Sequence, residues 1–150
     1  MRNSACLSDT VIRVGRQNNS GTYVYFREAI LGAQREYKMG SIDQSGSKDV
    51  VGLVSHTPCA IGYSGMAFAT VGAKALKISS TNREIAVSPT AQAVIDGSHP
   101  LARPLYFYTP GEPRSTLGTS SRGYAGALEK IVGEVGFVPV PGSTSSPHPD

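Results

Sequence analysis

The run Arg16-Gln17-Asn18-Asn19-Ser20-Gly21-Thr22 gathers in one short stretch the groups that hold a tetrahedral oxyanion. Arg16 offers a planar fork of N–H donors that matches two oxygens at once. Ser20 and Thr22 add hydroxyl donors, and Gly21 carries no side chain to keep an anion off the backbone. Such a set works best where a helix begins. The N–H groups of a first turn have no intrahelical acceptor, and aligned peptide dipoles give them partial positive charge. The same residues admit a plainer reading, in which Ser20 or Thr22 caps a helix and Arg16 is a solvated surface side chain.

Other suggestive groups reduce to ordinary roles. Gly62-Tyr63-Ser64-Gly65 resembles a nucleophile elbow but lacks the G-x-S-x-G spacing, and no Asp and His stand out as partners. His56, His99 and His148 lack metal-ligand spacing. No catalytic residue, metal site or cofactor is therefore expected, and the chain is not expected to be an enzyme. Cys6 and Cys59 match no metal or redox motif; small apolar fillers are the favoured reading, with a disulfide left open. Tyr106-Phe107-Tyr108 suits a strand core or an inter-lobe contact better than base stacking.

The elements that must position the oxyanion run follow from periodicity. Val11, Ile12 and Val14 form a β-rich run feeding the polar loop that begins at Arg16. From Thr22, the helical spacing of Tyr23, Phe26, Ile30 and Leu31 predicts a helix that Gly32 ends. Lys38 to Gly46 reads as a connection. Ser47 is a candidate N-cap for a second helix through Val54, closing before Pro58. Ala60 to Tyr63 is a short buried strand, Met66 to Thr70 a helical turn or loop, and Ala75 to Ile78 a further strand. Glu84 to Val87 forms another strand, and Thr90 to Ile95 a short helix after Pro89. Arg103 to Thr109 is an aromatic strand with Pro104 at an entering or edge position. Arg114 to Arg122 reads as mobile, Tyr124 to Val132 as a last helix and Val135 to Val140 as strand-like. This alternation places the chain in the α/β class.

At 150 residues the chain has the usual size of one domain. Its 39% hydrophobic and 17% charged residues fit a folded, soluble chain. The formal charge of +3 is spread along the sequence, which suits a small anion and argues against nucleic acid as a partner. No stretch approaches the ~20 apolar residues of a membrane span, and MRNSACLSDT lacks the apolar run of a secretory signal.

Several ordered motifs carry a family resemblance. Arg16 stands four residues before S-G-T, followed by YVYFREAILG, TPCAIGYSGM, PLARPLYFYTPGEP and VGFVPVP. With these motifs the sequence resembles the phosphate-binding subunit of phosphate import transporters, the PstS family, from about Val11 to Pro141. The resemblance implies a mixed sheet flanked by helices, the second lobe of a type II periplasmic-binding-protein-like fold. It implies that Arg16, Ser20, Gly21 and Thr22 contact inorganic phosphate. The family's other contacts, including a carboxylate that accepts a proton from monohydrogen phosphate, lie in a first lobe with no counterpart in this sequence. The expected partners are inorganic phosphate, the missing first lobe or a second copy, and a membrane permease. The expected location is periplasmic or otherwise extracytoplasmic. Gly118 to Ala127 departs from the family's Trp-containing C-terminal helix.

The division expected on this basis is a disordered or extraneous tail at 1–10, a phosphate-binding lobe at 11–98, a returning strand and helix at 99–141, and a disordered tail at 142–150. Half of a two-walled site binds weakly. An ion pair at 4 Å is worth ~1 kcal/mol in water and about 4 kcal/mol at an effective dielectric of ~20, so closure governs affinity. The alternative to a phosphate-binding half is a lobe that has lost its ligand and self-associates.

Overall fold

The computed structural model describes residues 6, 10–104, 132–133 and 137–138. The chain divides into two compact units, Met1–Leu76 and Lys77–Asp150.

In the first unit the α/β alternation read from the sequence is present. Strand β1 (Ile12–Arg16) leads into helix α1 (Gly21–Leu31), strand β2 (Ile42–Gln44), helix α2 (Ser47–His56) and strand β3 (Ala60–Gly62), followed by a 3-10 turn at Met66–Phe68. The strand order is β2-β1-β3 and both pairings are parallel, with Gly15 opposite Asp43 and Val14 opposite both Ile42 and Gly62. Parallel neighbours need crossovers, which α1 and α2 supply.

Strand alternation sends neighbouring residues of β1 to opposite faces. On one face α2 packs across all three strands, and its Val50 is buried, as is Val14 of β1. That packing is close. A Cβ built on Gly62 falls 2.8 Å from Val50 Cγ1 and 3.0 Å from Val54 Cγ2 and the Val14 carbonyl. On the other face α1 has no fully buried residue and is held by rings. Phe26 stacks on Tyr63 at 4.1 Å, and Tyr37 lies edge-on to Tyr23 at 4.9 Å.

Several expectations need correction. The first strand runs on through Arg16, so that residue stands on the strand's end instead of opening the loop. The presumed connection 38–46 contains β2, whose three residues are too few to show a period. Ser47 is not an N-cap: Gly46 holds that position without a side-chain cap bond, and Ser47 is the first helical residue. Strand β3 is half-buried to exposed, not buried. Cys6 and Cys59 are joined as a disulfide, which overturns the apolar-filler reading. Cys59 has φ of 62°, and its carbonyl accepts from Ile12 N–H at 3.0 Å where β1 begins.

The strands expected at 75–78 and 84–87 reduce to a single antiparallel bridge in the second unit, between Ile78 and Val87. Helix α3 (Ala91–Ile95) is capped by Thr90, whose hydroxyl accepts from Ala93 N–H. His99 is buried and its Nδ1 accepts from Leu101 N–H at 3.3 Å. The aromatic strand expected at 103–109 lies outside the described residues from 105 on, the segment 114–122 expected to be mobile wholly so, and the expected last helix and terminal strand almost wholly.

Candidate anion site

All three parallel strands end on the same side, and in open α/β sheets that carboxyl edge is where ligands bind. Here it collects Arg16 from β1, Ser45 just after β2, and Tyr63 and Ser64 just after β3. The first turns of α1 and α2 open at the same edge.

Helix α1 begins as the sequence predicts. Ser20 is the N-cap, with an extended backbone at φ −87° and ψ 129°, and its Oγ accepts from Thr22 N–H at 3.2 Å. Gly21 and Tyr23 N–H are then the first-turn donors left without an intrahelical acceptor. The Ser20 hydroxyl still has its own proton to give. The first turn of α1 holds no acidic residue, whereas that of α2 holds Asp49, whose carboxylate accepts from Ser45 Oγ at 3.2 Å. The positive end of α2 therefore meets a carboxylate of its own first turn, whereas that of α1 carries none and has Asp43 of β2 across the neighbouring hollow.

Arg16 is neither solvated nor folded over the S-G-T turn. Its Nη1 donates to Ser47 Oγ and its Nη2 to the Ser45 carbonyl, each at 2.8 Å. Its Nε is shielded from solvent and has no hydrogen-bond partner. Its backbone N–H donates to Tyr63 Oη at 3.3 Å. Among the described residues no hydrogen bond joins the guanidinium to Ser20, Gly21 or Thr22. The structure thus brings the four predicted residues to one edge, with Ser20 and Thr22 bonded to each other and Arg16 held from the α2 side.

Beneath this edge Tyr63 is hydrogen-bonded to Tyr37, whose hydroxyl donates to the Tyr23 carbonyl at 3.3 Å. Desolvation, then the Tyr63 hydrogen bond, push the Tyr37 phenol well above its ordinary range. Between loop and sheet lies an open hollow of about 470 Å³ lined by Gln17, Asn18, Asn19, Tyr23 and Asp43. Sequence reading missed Ser45, Ser47, Tyr63 and Asp43, none of which is close to the loop along the chain. The strand order alone brings them there.

Ser64, the residue of the near-elbow, donates its hydroxyl to the Ser47 carbonyl at 3.2 Å. Among the described residues no group of three or more His, Cys, Asp or Glu could hold a metal.

Residues 8–128 match the family model of the PBP superfamily domain. The chain is 30% identical over 132 residues to the phosphate-binding protein PstS of Pseudomonas aeruginosa, covering 85% of this chain and 41% of that protein. It is 34% identical over 130 residues to protein SphX of Synechococcus elongatus, covering 82% of this chain and 38% of that one. An ABC-type phosphate transport receptor from Vibrio cholerae shares the fold, with a TM-score of 0.65 at 18% identity over 87% of this chain and 53% of the receptor. The chain spans about two fifths of the length of these curated relatives.

Proposed function

Because this chain belongs to the PBP superfamily, we propose that it binds inorganic phosphate at the carboxyl edge of its sheet, as one half of a substrate-binding protein for phosphate uptake. The observation that carries this reading is the pairing of an α1 N-terminus without an acidic residue in its first turn with an arginine whose Nε has no acceptor. Arg16 supplies charge, Gly21 and Tyr23 supply N–H groups, and the Ser20 and Thr22 hydroxyls complete the donor set. The net charge of +3 favours an anion over a cation as the ligand.

The two similar proteins named for phosphate, from P. aeruginosa and V. cholerae, support this ligand, and the receptor's name supports an ABC-type permease as the onward partner. The Cys6–Cys59 disulfide supports an oxidising, extracytoplasmic location. In our proposal the chain binds without turnover: the Ser64 hydroxyl donates to a carbonyl, and among the described residues no hydrogen bond joins it to a base. One wall gives only a few kcal/mol, a Kd on the order of 1 mM or weaker, and the first lobe or a second copy supplies the rest.

A phosphate titration followed by amide NMR tests this. The backbone signals of Ser20 to Tyr23 should move at tens of millimolar phosphate, on the order of the weak Kd expected. If they stay still while the rest of the spectrum shows a folded chain, the site is refuted. A second reading, self-association, draws on the exposed apolar residues Ile42 and Ile61 of the two outer strands, 46% and 44% exposed. A single monomer mass by sedimentation across a wide concentration range would exclude it.

A further inference from the structure

Arginine carries its five N–H donors in a rigid plane, so fixing two of them fixes the direction of the others. In Arg16 the two anchored nitrogens are Nη1, on Ser47 Oγ, and Nη2, on the Ser45 carbonyl, both at 2.8 Å. The guanidinium cannot turn about its Cζ–Nε bond without losing one of them. The third nitrogen, Nε, is solvent-shielded and unpartnered, an expensive state for a charged donor unless an acceptor arrives.

Ser47 is free for this task. The N-cap of α2 is Gly46, and no side chain caps that helix, so the Ser47 hydroxyl is not spent on helix initiation. Its backbone is itself held, since Ser64 Oγ donates to the Ser47 carbonyl at 3.2 Å. The other anchor is held too: Ser45 Oγ donates to Asp49 Oδ2 at 3.2 Å. An arginine on β1 is thus gripped by two residues at the start of α2, one of them pinned in turn from the end of β3.

We propose that Ser47 is a positioning residue for phosphate: its hydroxyl holds the Arg16 guanidinium plane so that its remaining donors are already oriented when the anion arrives. This rests on the phosphate reading above. It adds that part of the affinity comes from preorganisation, supplied by a residue that need not touch the ligand.

The test uses the full, nitrogen-labelled chain and inorganic phosphate. Without phosphate, the Arg16 Nε–H signal, identified by its loss in Arg16→Lys, should be sharp in the parent. It should broaden and exchange faster with water in Ser47→Ala, and recover in Ser47→Thr, which restores a hydroxyl. With phosphate, Ser47→Ala should bind about tenfold more weakly and Ser47→Thr within about twofold of the parent. The Ser47→Ala melting temperature should stay close to the parent's, because no helix cap is lost. An unchanged Nε–H signal in Ser47→Ala overturns the proposal, as does weaker binding explained by a matching fall in melting temperature. If Arg16→Ala loses the phosphate response while Ser47→Ala keeps it, the clamp alone fails. If Arg16→Ala responds like the parent, the phosphate site fails and the clamp with it.

Discussion

The tether between Cys6 and Cys59 makes a prediction that can be worked through. The bond closes a loop across a sequence separation of 53 residues that contains β1, α1, β2 and α2. Chain-entropy bookkeeping for a loop of that length gives about 4 kcal/mol of stabilisation by restricting the unfolded chain. Set against a typical total of about 5–15 kcal/mol, losing it is severe. Replacing both cysteines by serine removes the tether but leaves a side chain at position 59, where φ is 62°. Glycine there instead relieves a left-handed strain of roughly 1 kcal/mol, so Cys6→Ser with Cys59→Gly should be the less damaged pair. Urea unfolding followed by circular dichroism measures both. The oxidised parent should have the highest midpoint, the serine pair the lowest, and both variants a steeper dependence on urea because their unfolded chains expand more. The tether sits where β1 and β3 begin, the far end from the anion edge, so the phosphate-induced shifts at Ser20 to Tyr23 should persist in any variant that remains folded. Equal midpoints for the parent and the serine pair would refute the reasoning.

Three shorter predictions accompany it. Gly62→Ala should destabilise the first unit by about 1–3 kcal/mol, since the new methyl meets Val50 at 2.8 Å and a carbonyl at 3.0 Å; a denaturation midpoint equal to the parent's would mean that α2 can back away. The raised affinity of Tyr37 for its proton stabilises the folded state fully below the ordinary tyrosine range near pH 10 and is lost as pH climbs through the higher folded value. Stability should therefore decline above about pH 10, and Tyr37→Phe should show a shallower decline by denaturation at stepped alkaline pH. Arg16→Ala should remove the phosphate-induced shifts at Ser20 to Tyr23; their survival would refute Arg16 as a phosphate ligand and the proposed site with it.

The parts of the fold legible in the sequence were those whose cause is local. Ser20 before a helical repeat and Gly32 after it mark the ends of α1, and the structure has Ser20 capping and Gly32 at φ 86°. Thr90 likewise caps α3. What could not be read depends on contacts distant in sequence. Strand β2 exists because three residues pair with β1, not because Ile-Asp-Gln has a period. The partners of Arg16 stand 29 and 31 residues further on, and only the strand order brings them within reach. The Cys6–Cys59 bond hides for the same reason, because the linear gap of 53 says nothing of a Cα separation of 4.8 Å. The candidate site was half visible: the donors following β1 stood in one run, while the residues that bond the Arg16 guanidinium, Ser45 and Ser47, come from the junction of β2 and α2.

The close seating of Val50 and Val54 of α2 on Gly62 and Val14 lies below the rim that carries Arg16, Ser20, Ser45 and Ser47. In the proposed site, substitutions along that rim should change the contacts offered to an oxyanion while leaving the buried contacts untouched. On the proposed reading, ligand preference can drift by single steps among surface hydroxyls and amides, whereas a side chain added at Gly62 must be matched by smaller side chains on the facing helix.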